Sequence, residues 1–223
     1  MNNKSIAPAL NILVIGANGG IGRQTVELAL KAGHHVTALV RNSANLTLAH
    51  PNLEIVQGDI MHNESFEKYL EGKDAVISAI GVNGGLMGDK PTTLYSLGNA
   101  NLLQAMKKTG TRRVYFISAS AVEISPVLPL VARLAAKYIL QKLLRNMYAD
   151  LREMEELAKQ SDADWTIIRP PRLTDKPATG RYRFSINSFL KNSLSISRAD
   201  VAHFMIGNVM NDATYRAVVE IGY

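Results

Sequence analysis

Gly16-Ala17-Asn18-Gly19-Gly20-Ile21-Gly22 stands between the apolar run Ile12-Leu13-Val14-Ile15 and the helix-like run Gln24-Thr25-Val26-Glu27-Leu28-Ala29-Leu30-Lys31. A strand that breaks into glycines and passes straight into a helix gathers unpaired backbone N–H groups and the positive end of a helix dipole at one point. That point suits a pyrophosphate. Gly16 would turn the chain off the strand, Gly19 would let backbone approach the phosphates without a Cβ, and Gly22 would let the helix pack close to its sheet. Asn18, Gly20 and Ile21 complete the same surface. A dinucleotide is the natural occupant. The spacing is G-x-x-G-x-x-G, not the commoner G-x-G-x-x-G, and an ordinary strand-to-helix corner is the plainer alternative.

A turn of this kind needs a sheet behind it, and the rest of the chain supplies one. Short apolar runs at 11–15, 35–40, 53–57, 74–80, 113–118, 164–169 and 217–221 read as strands. Between them, patterns near 20–32, 63–71, 92–109, 128–145, 146–160 and 198–211 read as helices. Strand–helix alternation with near-continuous apolar strands predicts a doubly wound parallel α/β sheet, covered on both faces, in a single domain over 11–223 after a flexible 1–10. Two stretches break the rhythm. Gly81 to Pro91 is a glycine-rich loop placed where the strand ends face a ligand crevice, and movement is expected of it. From 170 to 197 the period fades around Pro170, Pro171, Pro177 and Gly180, which predicts a small irregular C-terminal cap over the crevice.

At the end of the second strand the chain reads Val40-Arg41-Asn42-Ser43. NAD-specific sites of this architecture place an acid there to accept from the ribose 2′-hydroxyl. A guanidinium cannot accept a hydrogen bond, but its fork fits a phosphate, so Arg41 points to the 2′-phosphate of NADPH. A solvent-facing arginine is the alternative.

Bulk properties narrow the classes. With 223 residues, 47% hydrophobic and 20% charged, the chain has the composition of an ordinary globule with one core. Its net charge of +6 suits an anionic cofactor, and no basic run carries interleaved aromatics, so nucleic acid is not expected as a partner. No cysteine is present, which removes disulfides and thiol nucleophiles, and the five histidines lack metal-ligand spacing. Neither a leader-like apolar segment nor a run of the ~20 apolar residues that spans a bilayer is found, so a cytoplasmic protein is expected. Residues 130–145 alternate Leu130, Val131, Leu134, Tyr138 and Ile139 with Arg133, Lys137, Gln141 and Arg145. Such a helix could lie on an anionic membrane or a partner; packing against the core with a solvated basic face is the expectation.

Several motifs occur in a consistent order: the glycine turn, Leu39-Val40-Arg41-Asn42, Gln57-Gly58-Asp59-Ile60, Asp74 through Gly81, Val114 through Ser120, Asp164 through Pro171, and Ile196 through Ala202. Together they resemble the atypical short-chain dehydrogenase/reductase superfamily, in particular its NAD(P)H-binding, NmrA-like branch, which includes flavin and biliverdin-IXβ reductases. The resemblance covers nearly the whole chain and implies a Rossmann-like fold and a nicotinamide cofactor. It also implies that Asp59 meets the adenine edge with Ile60 beside the ring, and that Ala79, Ile80 and Gly81 run beneath the ribose and nicotinamide. Pro170 is carried over as a further cofactor residue.

The catalytic side is less regular. Typical members of the superfamily use a serine and a Tyr-x-x-x-Lys pair. Tyr138-Ile139-Leu140-Gln141-Lys142 matches in letters but falls early in the chain. Tyr148 lies on the helix before the sixth strand, the better place, yet Arg152 stands where the lysine belongs. Flavin and biliverdin reductases generally lack a working pair, so the resemblance implies proton delivery from solvent or a cap residue. Ser118 and Ser120 end the fifth strand and are candidates to hold substrate or the cofactor amide, with turn capping as the alternative. Arg172 follows the Pro170-Pro171 step where relatives often carry a histidine; it could clamp an anionic acceptor but cannot titrate. The expected activity is NADPH-dependent reduction of a flat conjugated acceptor by a monomer or homodimer. A non-catalytic redox sensor is the alternative.

Overall fold

The computed structural model describes residues 8–81, 91–127 and 130–223. It opens with β1 (Asn11–Ile15), α1 (Gly20–Lys31), β2 (His35–Val40), β3 (Leu53–Gln57) and β4 (Ala75–Ser78), continuing through α2 (Ser96–Thr109) and β5 (Arg113–Ile117). A helical arm follows, made of α3 (Leu130–Ala135), a π-helical turn (Ala136–Leu140) and α4 (Gln141–Leu143). Then come α5 (Arg145–Gln160), β6 (Asp164–Arg169), β7 (Arg172–Thr174), β8 (Arg183–Ile186), β9 (Ser195–Ser197), α6 (Arg198–Gly207) and β10 (Ala217–Gly222).

Eight strands form one sheet in the order β3-β2-β1-β4-β5-β6-β10-β8. All neighbours run parallel except β8, which pairs antiparallel with β10. The period-two geometry of a strand sorts its side chains onto two faces. Ile12 and Val14 join Val26, Ala29, Phe204 and Met205 under α1 and α6. Leu13 and Ile15 join Leu102, Met106, Leu151 and Met154 under α2 and α5. Because both faces of the central strands are buried, those strands lack polar alternation, as a doubly wound sheet requires. The chain leaves β1 toward β2 and β3, then returns to place β4 on the other side of β1, so the sheet reverses direction at the carboxyl end of β1.

The structure departs from the sequence expectations in several elements. The helix expected at 63–71 is two 3-10 turns, Asn63–Ser65 and Glu67–Leu70, split where Phe66 plunges into the core with φ −135°. The helix expected from 92 starts at Ser96, because the buried Asp150 carboxylate accepts from the Tyr95 and Ser96 amides at 3.0 and 2.9 Å and fixes the first turn there. The last helix ends at Gly207 rather than 211. The helix expected at 128–145 is helical over 130–143 with a π-helical turn inside it, and most of its apolar residues do not pack on the core: Leu130, Val131, Tyr138 and Ile139 are exposed, whereas Leu144 packs on the cluster under α2 and α5. The cap at 170–197 is more ordered than its composition suggests, since β8 joins the main sheet and β7 pairs with β9. Strands of three or four residues are too short to register as a period. The core of the expected mobile loop, 82–90, and the first seven residues of the expected flexible terminus lie outside the described residues.

Candidate functional site

The carboxyl ends of β1 to β4 open onto a cleft of about 410 Å³. Gly16, Asn18, Gly19, Arg41, Asp59, Ile60, Ala79, Ile80 and Gly81 all line it, joined by Ile15, Leu39, Val40, Asn42, Asn45, Gly58 and Leu94. The chain thus brings nine of the residues singled out for a cofactor to one place, although they come from four separate strand ends.

Local geometry explains the glycine turn. Gly16 has φ +77°, and a Cβ there would stand 2.7 Å from the Ala79 carbonyl oxygen. A Cβ on Gly22 would stand 2.2 Å from the Gly16 carbonyl oxygen, so α1 can sit on the turn only without it. The Gly19 amide donates to Gly16 O at 2.9 Å, and the Asn18 side-chain amide donates to Asn42 O at 3.3 Å, tying the turn to the segment after β2. Gly19, the N-cap of α1, has no side chain to accept from the leading amides and no acid occupies the first turn, so among the described residues those amides and the helix dipole are left for an anion. This bare cradle fits a pyrophosphate.

Gly20, Ile21 and Gly22 form the first turn of α1 behind the cleft rather than its lining, with Ile21 and Gly22 buried. Pro170 is buried after β6, where its carbonyl accepts from the Ser120 amide at 3.0 Å. Arg41 is exposed on the rim of the cleft, and among the described residues it has no hydrogen bond or salt bridge. Asp59 uses Oδ1 to accept from the Met61 amide at 3.0 Å, the local turn expected of a plain aspartate, while its other oxygen has no partner among the described residues.

The candidate catalytic residues do not converge. Ser118 is buried and donates its hydroxyl to Glu155 Oε1 at 2.6 Å. The same glutamate takes a two-pronged contact from Arg169, whose Nε lies 2.9 Å from Oε1, and Arg169 also donates to Glu123 at 2.8 Å. Burial opposes the charge on Arg169, but the two glutamates outweigh it and raise its pKa. Ser118 therefore belongs to a network that ties β5, α5 and β6 together, not to the cleft. Tyr148 is buried in the core, and that burial pushes its hydroxyl pKa up, the wrong direction for a proton donor near neutrality. Arg152, in the lysine position, donates to the Val122 carbonyl at 3.2 Å. Tyr138 and Lys142 are exposed on the arm. Ser120 begins a 3-10 turn half-buried, its hydroxyl unpartnered among the described residues, and Arg172 is exposed at the start of β7.

Two residues of the Ile196–Ala202 motif carry more than the sequence revealed. Arg198 lies across Gly20: a Cβ on that glycine would stand 2.4 Å from Arg198 Cδ and 2.8 Å from its Nε. Arg198 also pairs with Asp175 at 2.6 Å, so it bridges the cap to the head of α1. Asp200 is fully buried and accepts from the Thr179 and Gly180 amides at 2.9 and 2.8 Å, from the Thr179, Ser197 and Tyr223 hydroxyls and, among the described residues, from no cation. Burial would raise its pKa, but these donors hold it below the usual carboxylate value. The motif itself was the available signal for both.

The sequence matches the NAD(P)H-binding family over residues 16–212. It is 28% identical over 215 residues to a chloroplastic protein of Arabidopsis thaliana, covering 94% of this chain and 75% of that one. The fold is similar to that of the anaerobillin reductase ChuY of Escherichia coli O157:H7, with TM-score 0.74, 24% identity and coverage of 95% and 96% of the two chains. It is also similar to that of a short-chain dehydrogenase/reductase of Veillonella parvula solved in complex with NADP, with TM-score 0.79, 18% identity and coverage of 97% and 95%. The bare glycine cradle at the sheet's reversal point and the family match agree, and the chain belongs to the NAD(P)H-binding family.

Proposed function

We propose that the chain is an NADPH-dependent reductase that passes hydride to a flat, conjugated acceptor of the flavin, quinone or tetrapyrrole type. The observation that carries the cofactor choice is Arg41, a cation without a partner among the described residues, on the rim of the glycine cleft where a NAD-specific site would hold an acid. The first-turn amides of α1 bind the pyrophosphate, Arg41 takes the 2′-phosphate, and Ile60 with Leu39 offers apolar contact to the adenosine half. A bound nicotinamide supplies the hydride, leaving the protein to position the acceptor and exclude water. The similarity of the fold to that of a protein named as an anaerobillin reductase supports the reductase reading. The two tyrosine candidates fit an acceptor that needs no tyrosine acid, since Tyr148 is buried with Arg152 in the lysine position and Tyr138 stands exposed on the arm: conjugated acceptors can take hydride while the proton comes from solvent.

The test is NADPH and NADH oxidation with FMN, riboflavin, a benzoquinone and biliverdin. Turnover of at least one acceptor is expected, with NADPH preferred, and failure across the panel would refute the reductase. Arg41→Asp should weaken NADPH binding about tenfold to a hundredfold and leave NADH nearly unchanged. A second reading, a sensor of the oxidised dinucleotide, is favoured by the engagement of Ser118 and the burial of Tyr148. Tighter binding of NADP+ than NADPH, with no turnover, would select it.

A further inference from the structure

Among the described residues, eleven large apolar side chains are exposed, and seven of them lie in the arm: Leu130, Val131, Leu134, Tyr138, Ile139, Leu140 and Leu143. Four are more than 60% exposed, with Val131 at 79%. Scattered single exposures need no explanation, but contiguous apolar surface on a soluble body marks a contact site. The arm leaves the body just beyond the carboxyl end of β5, and its base is held where Gln141 donates to the Ala121 carbonyl at 3.0 Å.

The charge pattern identifies the kind of surface it meets. Arg133, Lys137, Lys142 and Arg145 are all exposed, and the sequence contains no acidic residue between Glu123 and Asp150. None of the four has a carboxylate partner among the described residues. Lys137 lies over the ring of Tyr138, 5.3 Å from its centre, so a cation and an amphipathic ring stand side by side. A second copy of the chain docking like on like would bring eight cations together with no acid from either arm. No described helix is long and apolar enough to cross a bilayer. A short helix with exposed leucine, valine and isoleucine, a tyrosine and only basic charges is the form that lies in the headgroup layer of an anionic membrane.

We propose that residues 130–145 form an interfacial anchor that seats this protein on an anionic lipid surface. The apolar side chains enter the boundary between headgroups and acyl chains, while the lysine and arginine stems reach back to lipid phosphates. This assignment is independent of the reaction performed at the cleft.

Co-sedimentation of the full chain with vesicles tests it. Vesicles of phosphatidylcholine alone are compared with vesicles in which about a quarter of the lipid is phosphatidylglycerol, at low and high salt. Binding to the anionic vesicles at least tenfold stronger than to the neutral ones, and weakened by salt, is expected. The double substitution Leu134→Glu, Ile139→Glu should abolish binding, and Arg133→Gln with Lys137→Gln should reduce it. These side chains are exposed, so an unchanged thermal midpoint and unchanged NADPH affinity separate lost docking from misfolding. Equal binding to neutral and anionic vesicles, or none to either, overturns the proposal. Self-association in sedimentation velocity that the Leu134→Glu, Ile139→Glu variant removes, without vesicle binding, would assign the face to a second copy instead.

Discussion

Arg41 and Arg198 both bring positive charge to the glycine turn, but they approach it from different elements, Arg41 from the end of β2 and Arg198 from the head of α6 across Gly20. If Arg198 serves the phosphates common to both dinucleotides, Arg198→Ala should weaken NADPH and NADH alike, about threefold to tenfold given its partial exposure and its pairing with Asp175. Titration calorimetry with each nucleotide reads the difference from Arg41→Asp, and a loss confined to NADPH would contradict this role. At this scale the sequence was informative about types and poor about partners. Arg41 was legible because its position follows from counting strands. The contact of Ser118 was not legible because its partner, Glu155, lies 37 residues away on another element, and no local pattern reports such a contact. Arg198 was passed over for the same reason: nothing near it in the chain says that Gly20 lies beneath it.

Elements follow their periodicity where burial is two-sided and depart from it where a single side chain intervenes. The strands that build the cleft were legible to within a residue or two, since each is a short, nearly continuous apolar run between helices. The 3-10 turns at 63–70 and the late start of α2 were not, because Phe66 and Asp150 set them through contacts that cross the fold. The tightest element junction is α1 on its own turn. Gly22→Ala places a methyl 2.2 Å from a backbone oxygen that cannot move without disturbing β1, so a destabilisation of about 3 kcal/mol is expected. For a chain of this size that corresponds to a fall of roughly 6–12 °C in Tm. Cofactor affinity should fall with it, whereas Gly33→Ala, where no atom lies within 4 Å of the added carbon, should cost only the strain of its positive φ.

Over the whole molecule, one buried carboxylate gathers several of the contacts that bind the cap to the core. Asp200 collects donors from the cap at Thr179 and Gly180, from its own helix cap Ser197 and from Tyr223 after β10. Asp200→Asn should cost about 2 kcal/mol or more at neutral pH, measured by urea denaturation. The pKa of Asp200 is lower in the folded chain than in the unfolded one, so its contribution is complete above the ordinary carboxylate range and is lost as the pH falls through the folded value. The gap between the two proteins should therefore narrow only below about pH 4. A gap that closed between pH 5 and 7 would place the stabilising charge elsewhere.

The network of Glu155, Arg169 and Ser118 under the end of β5 and β6 has a further consequence. Its central pair is almost wholly withdrawn from solvent, with Glu155 at 2% and Arg169 at 6% exposure, so dissolved electrolyte reaches only the outer partner, Glu123. Arg41, on the open rim, is exposed to the same ions. Potassium chloride raised from about 0.05 to 0.5 M should thus loosen the grip on NADPH severalfold while hardly moving the melting curve. Electrolyte becomes a dial that turns ligand capture down and leaves the scaffold intact, and parallel losses in both would mean that the ionic floor is wetter than its burial implies.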